Sequence, residues 1–179
     1  LGRSFWAAVI ATALTQGSHA AYYAFASLHW RTAGIGDATI GLLIAEGIVA
    51  EVALFVWGGR LVAWIGPARL TGIAASACLL RWTLTATTDS VPLLAAIQLL
   101  HAGSFACQHL SNMLVLRTMP APRAALAQTV LSAIGFSAPT GIMIWVVGQF
   151  YASANSAVFF GMAALGGTAL FVTRFLPRR

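Results

Sequence analysis

The amino-acid sequence predicts an all-α, polytopic membrane protein. Three observations carry this prediction. Hydrophobic residues make up 59% of the 179 positions and charged residues only 8%, where soluble domains hold roughly 25%. Mean hydropathy is +0.84. Apolar runs of about 20 residues, the length that crosses a bilayer, are separated by short breaks rich in Arg, Gly and Pro.

A soluble helical bundle built from this composition would leave most helix faces without polar residues. The bilayer is the better solvent. Six spans nearly exhaust the chain, which leaves no room for a soluble domain. The chain opens on Leu1 and shows no signal-peptide pattern, so a truncated or internal segment of a longer protein is expected. Cys78 and Cys107 lie inside apolar runs with no metal-ligand spacing and read as small packing residues. All ten basic residues are Arg, scattered singly or in small groups, so the formal charge of +6 speaks for membrane orientation and against nucleic acid.

The breaks divide the chain into spans over Phe5–Leu28, Thr39–Trp57, Leu70–Ala86, Val91–Leu116, Ala124–Tyr151 and Ser156–Phe175. An even number of spans puts both termini on one side. Arg3, Arg60, Arg69, Arg117, Arg123, Arg174, Arg178 and Arg179 fall on that side, Arg31 flanks the other, and Arg81 lies within a span. The positive-inside rule then places both termini in the cytoplasm. Asp37 and Asp89 fall in the opposite loops and add little to the assignment. The fifth span holds Ala138-Pro-Thr-Gly141, where Pro139 removes a backbone hydrogen bond and kinks the helix. In the sixth, Gly161, Gly166 and Gly167 permit close helix packing.

Between the second and third spans runs GGRLVAWIGPARL, Gly58 to Leu70. Its Gly59, Leu61, Gly66 and Arg69 resemble the G-x-L-x-D-R-x-G-R-R loop of major facilitator transporters, with Ala63 replacing the acid. Further segments sharpen the resemblance: QGSHAAYYAF (Gln16–Phe25), AGIGDATIGLLIAEGIVAEVALF (Ala33–Phe55), LLRWTL around Arg81, and QLLHAGSFACQHL (Gln98–Leu110). In this order they are similar to the carboxyl-terminal half of the phenylpropionate permease branch of that superfamily, which also resembles nucleoside–proton symporters. The resemblance implies one six-helix half of a twelve-helix transporter, its amino-terminal six-helix half missing here, with solute held near the midplane between halves. It also implies that the first and fourth spans line the cavity, the second and fifth flank it, and the third and sixth lie at the periphery.

Polar groups within the spans are costly in hydrocarbon, so each needs a partner, water or a task. In the fourth span Gln98, His101, Phe105, Gln108 and Asn112 recur at steps of three and four and share a helical face, with His109 beside it. The first span repeats the pattern with Thr12, Thr15 or Gln16, His19 and Tyr22 or Tyr23. Interhelical packing and cavity lining both explain such stripes. Gln16, His19, Tyr23, Gln98, His101 and His109 are the candidate solute and proton pathway, because imidazole can bind an anion when charged and relay a proton when neutral. His29, next to Trp30 and Arg31, reads as an anchor at the outer interface.

Glu46 and Glu51 are five residues apart and project about 140° from each other. One of them is expected to pair with Arg81. Depth counting puts Glu46 and Arg81 both ~16 Å from the cytoplasmic boundary and Glu51 at ~9 Å, whereas the resemblance, aligned through AEVALF and LRW, favours Glu51 with Arg81. The pair is either a structural ion pair or one whose acid takes up a proton and shifts the opening preference.

The expected function is proton-coupled symport of a small organic solute such as an aromatic acid, in a cell membrane and, for a bacterium, the inner one. The partners are the solute, protons and the bilayer, and no cofactor is called for. A nucleoside or sugar symporter and a non-transporting structural or receptor-like subunit are the alternatives. An intramembrane enzyme is disfavoured, since neither an HExxH zinc motif nor a GxSxG turn occurs.

Overall fold

A computed structural model describes residues 1–59 and 64–177. The helices are α1 (Arg3–Gly17), α2 (Ala20–Thr32), α3 (Asp37–Trp57), α4 (Pro67–Thr87), α5 (Val91–His101), α6 (Cys107–Leu116), α7 (Ala121–Val130), α8 (Ala138–Ala154) and α9 (Val158–Val172). Among the described residues there is no strand. Leu61 of the loop motif, together with Arg60, Ala63, Arg178 and Arg179, lies outside the described residues.

Several helices join into longer rods. One π-helical turn, Ala102–Ala106, links α5 to α6, and another, Leu131–Ser137, links α7 to α8. By length and composition Asp37–Trp57, Val91–Leu116 and the helical run Ala121–Phe175 are fit to cross a membrane. Asn155 folds that last run back on itself: its φ of 48° lies in the left-handed region, which Asn enters more readily than most residues. Pro67–Thr87 is as long as α3 but carries Arg69, Arg81 and several hydroxyl residues, of which Thr71, Arg81 and Thr85 are buried.

The first rod is broken where an unbroken span is expected. His19 N–H bonds Gln16 O at 3.0 Å instead of the carbonyl four residues back. The carbonyl of Thr15 thereby accepts the Ser18 hydroxyl at 2.6 Å and the His19 ring at 2.8 Å. Side chains that enter the helical ladder in this way bend it. Gly17 lies beside the bend, and a Cβ there would sit 3.4 Å from Met143 and 3.7 Å from Pro139 of α8. In the rod of α7 and α8 the missing Pro139 N–H coincides with the π turn just before it, so the proline's effect is spread over a wider coil.

Packing follows small residues. α4 lies along α9, where Gly166 abuts Cys78 and a Cβ on Gly167 would meet Leu79 at 3.4 Å, whereas Gly161 has open space before it. α3 packs on α5 through Gly47, whose Cβ position is 3.4 Å from both Gln98 Oε1 and His101 Cβ. The largest apolar cluster gathers Trp30, Trp82, Leu94, Phe159 and Met162. At the termini end, the chain after α9 is tied to the start of α4 by Ala68 N–H to Pro177 O at 3.0 Å. That helix starts at Gly66, whose φ of 78° suits a residue without Cβ, followed by Pro67 in the first turn.

Burial is uneven. Only 17% of the apolar window of α3 is buried within the chain, against 44% for the rod of α5 and α6. The rod of α5 and α6, the fourth in chain order, is therefore central, and α3 keeps most of its surface for lipid or another protein segment.

Candidate functional site

The centre of the site is Arg81, fully buried on α4. Its Nη1 donates to His101 Nδ1 at 2.7 Å and to Ser104 Oγ at 3.3 Å, and its Nη2 donates to Gln98 Oε1 at 2.9 Å. Its guanidinium carbon also lies 4.5 Å from the ring centroids of Tyr22 and Trp82, within cation–π range. Tyr22 closes the layer by donating to Gln98 Oε1 at 3.2 Å.

Glu51 reaches this cation through an intermediary. Its Oε2 is 3.3 Å from His101 Nε2. A guanidinium only donates, so His101 Nδ1 must be the accepting nitrogen and Nε2 must carry the hydrogen that faces the carboxylate. His101 thus bridges Arg81 and Glu51 as a neutral ring, and the direct acid–Arg contact expected from the sequence is absent among the described residues. Glu46, half-buried one turn and a residue earlier, has no ion pair or side-chain hydrogen bond among them.

His19 takes the opposite tautomer. Its Nδ1 faces the Thr15 carbonyl and must donate, leaving Nε2 to accept from Ser104 Oγ at 3.2 Å. Ser104 sits in the π turn, where the widened coil brings its hydroxyl between Arg81 and His19. Glu51, His101, Arg81, Ser104 and His19 form one continuous hydrogen-bonded chain from α3 to the bend after α1. Trp82 braces it, donating from Nε1 to Ser18 Oγ at 3.0 Å and meeting His19 edge-on at 5.0 Å.

In front of this layer lies a cavity of ≈ 360 Å³, lined among others by Thr12, Glu51, Phe105, His109, Asn112 and Phe136. Its walls come from α1, α3, α6, α7 and the two π turns, and no described lining residue belongs to α4 or α9. The polar rim is ordered: Gln108 Nε2 donates to Thr12 Oγ1 at 3.2 Å and to Asn112 Oδ1 at 3.0 Å. The aromatic side includes Phe55, edge-on to His109 at 5.6 Å, and Phe136, edge-on to Phe105 at 6.1 Å.

The residues singled out from the sequence therefore occupy two places. His109 and Glu51 line the cavity; His19, Gln98 and His101 form the buried layer behind it. Tyr23 stacks on His19 at 5.7 Å and is 45% exposed, and Gln16 is buried with Oε1 unpartnered. His29 is 6% exposed, with Asn155 and Asp89 at its two ring nitrogens at 3.2 and 3.4 Å. Sequence reasoning missed Ser104 and the cation–π role of Trp82. Ser104 follows His101 by three residues, on the polar stripe already visible, and that spacing is the signal that could have found it.

Helical rods around a cavity with a polar rim and an aromatic wall, with a buried guanidinium behind it, suit a membrane protein of the transporter type. The model of the MFS_1 like family matches residues 2–162, and the chain belongs to that family, within the major facilitator group. Over 172 residues the chain is 31% identical to the "Probable 3-phenylpropionic acid transporter" of Escherichia coli (strain K12), a match covering 96% of this chain and 45% of that protein. The chain thus spans about half the length of this curated relative. No solved structure matches. The family and the relative that the chain matches are transporters, not enzymes.

Proposed function

We propose that this chain is the carboxyl-terminal six-span half of a proton-coupled symporter for a small organic acid with an aromatic group, both termini lying in the cytoplasm. The observation that carries the reading is the double position of Glu51, which lines the cavity and also ends the hydrogen-bonded chain to Arg81. An ionised Glu51 and a carboxylate solute in one cavity repel each other. A proton taken up by Glu51 removes that repulsion and at the same time discharges the carboxylate that balances Arg81 through His101. Solute entry and rearrangement of the buried layer are then driven by one protonation, which is what symport requires. Phe105, Phe136 and Phe55 supply faces and edges for an aromatic ring. The relative named for 3-phenylpropionic acid supports this solute class. The excess of Arg on the termini side supports their cytoplasmic placement, and helical rather than barrel spans suit an inner membrane.

The test uses the full-length protein in proteoliposomes under an imposed pH gradient, with radiolabelled 3-phenylpropionate and, in parallel, uridine. Glu51→Gln should abolish gradient-driven accumulation while solute exchange at equal pH persists. Undiminished accumulation by that variant would falsify the coupling role, and uptake of uridine alone would overturn the solute class.

A further inference from the structure

At the end of the bundle that holds the chain termini, α1 and α9 enclose a groove of ≈ 350 Å³ lined by Arg3, Trp6, Ala7, Ile10, Val172 and Phe175. It opens on the outer surface, where Trp6, Ile10 and Phe175 are each more than 40% exposed. Arg3 lines the groove, and Arg174, outside its lining, lies beside the lining residue Phe175. Arg3 lies 5.0 Å and Arg174 5.6 Å from the centroid of the same Phe175 ring. Arg174 spends its Nε on the Phe171 carbonyl at 2.7 Å, leaving its terminal nitrogens for another acceptor.

No carboxylate side chain of this protein is at hand to balance them. Its four acids are Asp37, Glu46, Glu51 and Asp89. Asp37 is paired with Arg31, Glu51 with His101 and Asp89 with His29, while Glu46 lies within α3. The groove thus joins an apolar floor to a pair of cations without a counter-charge among the described residues. That combination matches an amphiphile with an anionic head.

We infer that this groove binds one anionic glycerophospholipid of the leaflet facing the chain termini. Its phosphate sits between Arg3 and Arg174, and one acyl chain lies along Trp6, Ile10 and Val172. Guanidinium suits phosphate because its planar donors engage two oxygens at once. The proposal depends only on the membrane location and not on which solute is carried.

Native mass spectrometry of the full-length protein in mild detergent, with equal amounts of phosphatidylglycerol and phosphatidylcholine of matched chains, tests it. One phosphatidylglycerol should be retained in preference by about thirtyfold, the scale expected for two interfacial arginines. The double change Arg3→Gln with Arg174→Gln should erase the preference. The double change Arg117→Gln with Arg123→Gln removes as much charge from the same side and should preserve it. Glycerophosphoglycerol, which has the head without the chains, should fail to displace the bound lipid from the unaltered protein. Equal retention of both lipids overturns the site. So does an equal loss in the two double variants, which would indicate diffuse charge, or efficient displacement by the chainless head. The competition arm needs no variant and stands even if the Arg3 and Arg174 changes impair folding.

Discussion

Arg81 shows how a guanidinium is accommodated far from water. Four of its five N–H donors are on the two terminal nitrogens, which meet His101, Ser104 and Gln98, while Nε has no partner. The nearest carboxylate in the chain of contacts is beyond His101. Neutralising either end should therefore be felt at the other only through the imidazole. In a double-mutant cycle on the thermal stability of the detergent-solubilised full-length protein, Glu51→Gln and Arg81→Gln should couple by about 1 kcal/mol. In a His101→Leu background that coupling should vanish; its persistence would show direct pairing. Much of this layer was legible in the sequence, because the stripe through Gln98, His101 and Gln108 has helical spacing and Arg81 in an apolar span demands partners. The bridge itself was not legible. Spacing orders residues on one helix but does not say which of its side chains stands between two others on separate helices.

At the level of elements, the contacts that fix the bundle are those where a side chain is missing. Gly166 touches Cys78 along the α4–α9 seam, so a branched side chain there must push the helices apart, whereas Gly161 faces open space. Gly166→Val should lower stability by about 1–3 kcal/mol, the usual cost of overpacking, while Gly161→Val should leave it within about 0.5 kcal/mol. A thermal-shift comparison in the same detergent decides this, and equal effects would remove the seam's special standing. The sequence marked these glycines as packing positions without separating the touching pair from the open one. It also marked Pro139 as a kink, and the structure places a π turn beside it. The bend after Gly17 escaped notice because no proline announces it: the break comes from Ser18 and His19 competing for one carbonyl. Such competition depends on rotamers, which composition does not encode.

At the scale of the whole molecule, this chain's two cysteines are buried, so they add little background to surface labelling. Ser90, between α4 and α5, and Thr118, between α6 and α7, are both exposed and fall at opposite ends of the fourth rod. With the termini in the cytoplasm, Ser90→Cys should react with a membrane-impermeant maleimide in intact cells, and Thr118→Cys only after permeabilisation. The reverse pattern would invert the orientation. The cavity and the buried layer touch at few points: Glu51 joins them by a polar contact, and Phe105 by stacking on His101 at 5.4 Å. The front wall can therefore change shape while the machinery behind it stays whole. If Glu51 couples solute entry to a proton as proposed, a library randomised at Phe55, His109, Asn112 and Phe136 should yield variants of altered appetite that still run on the same gradient: the lining would be free to diversify without loss of drive.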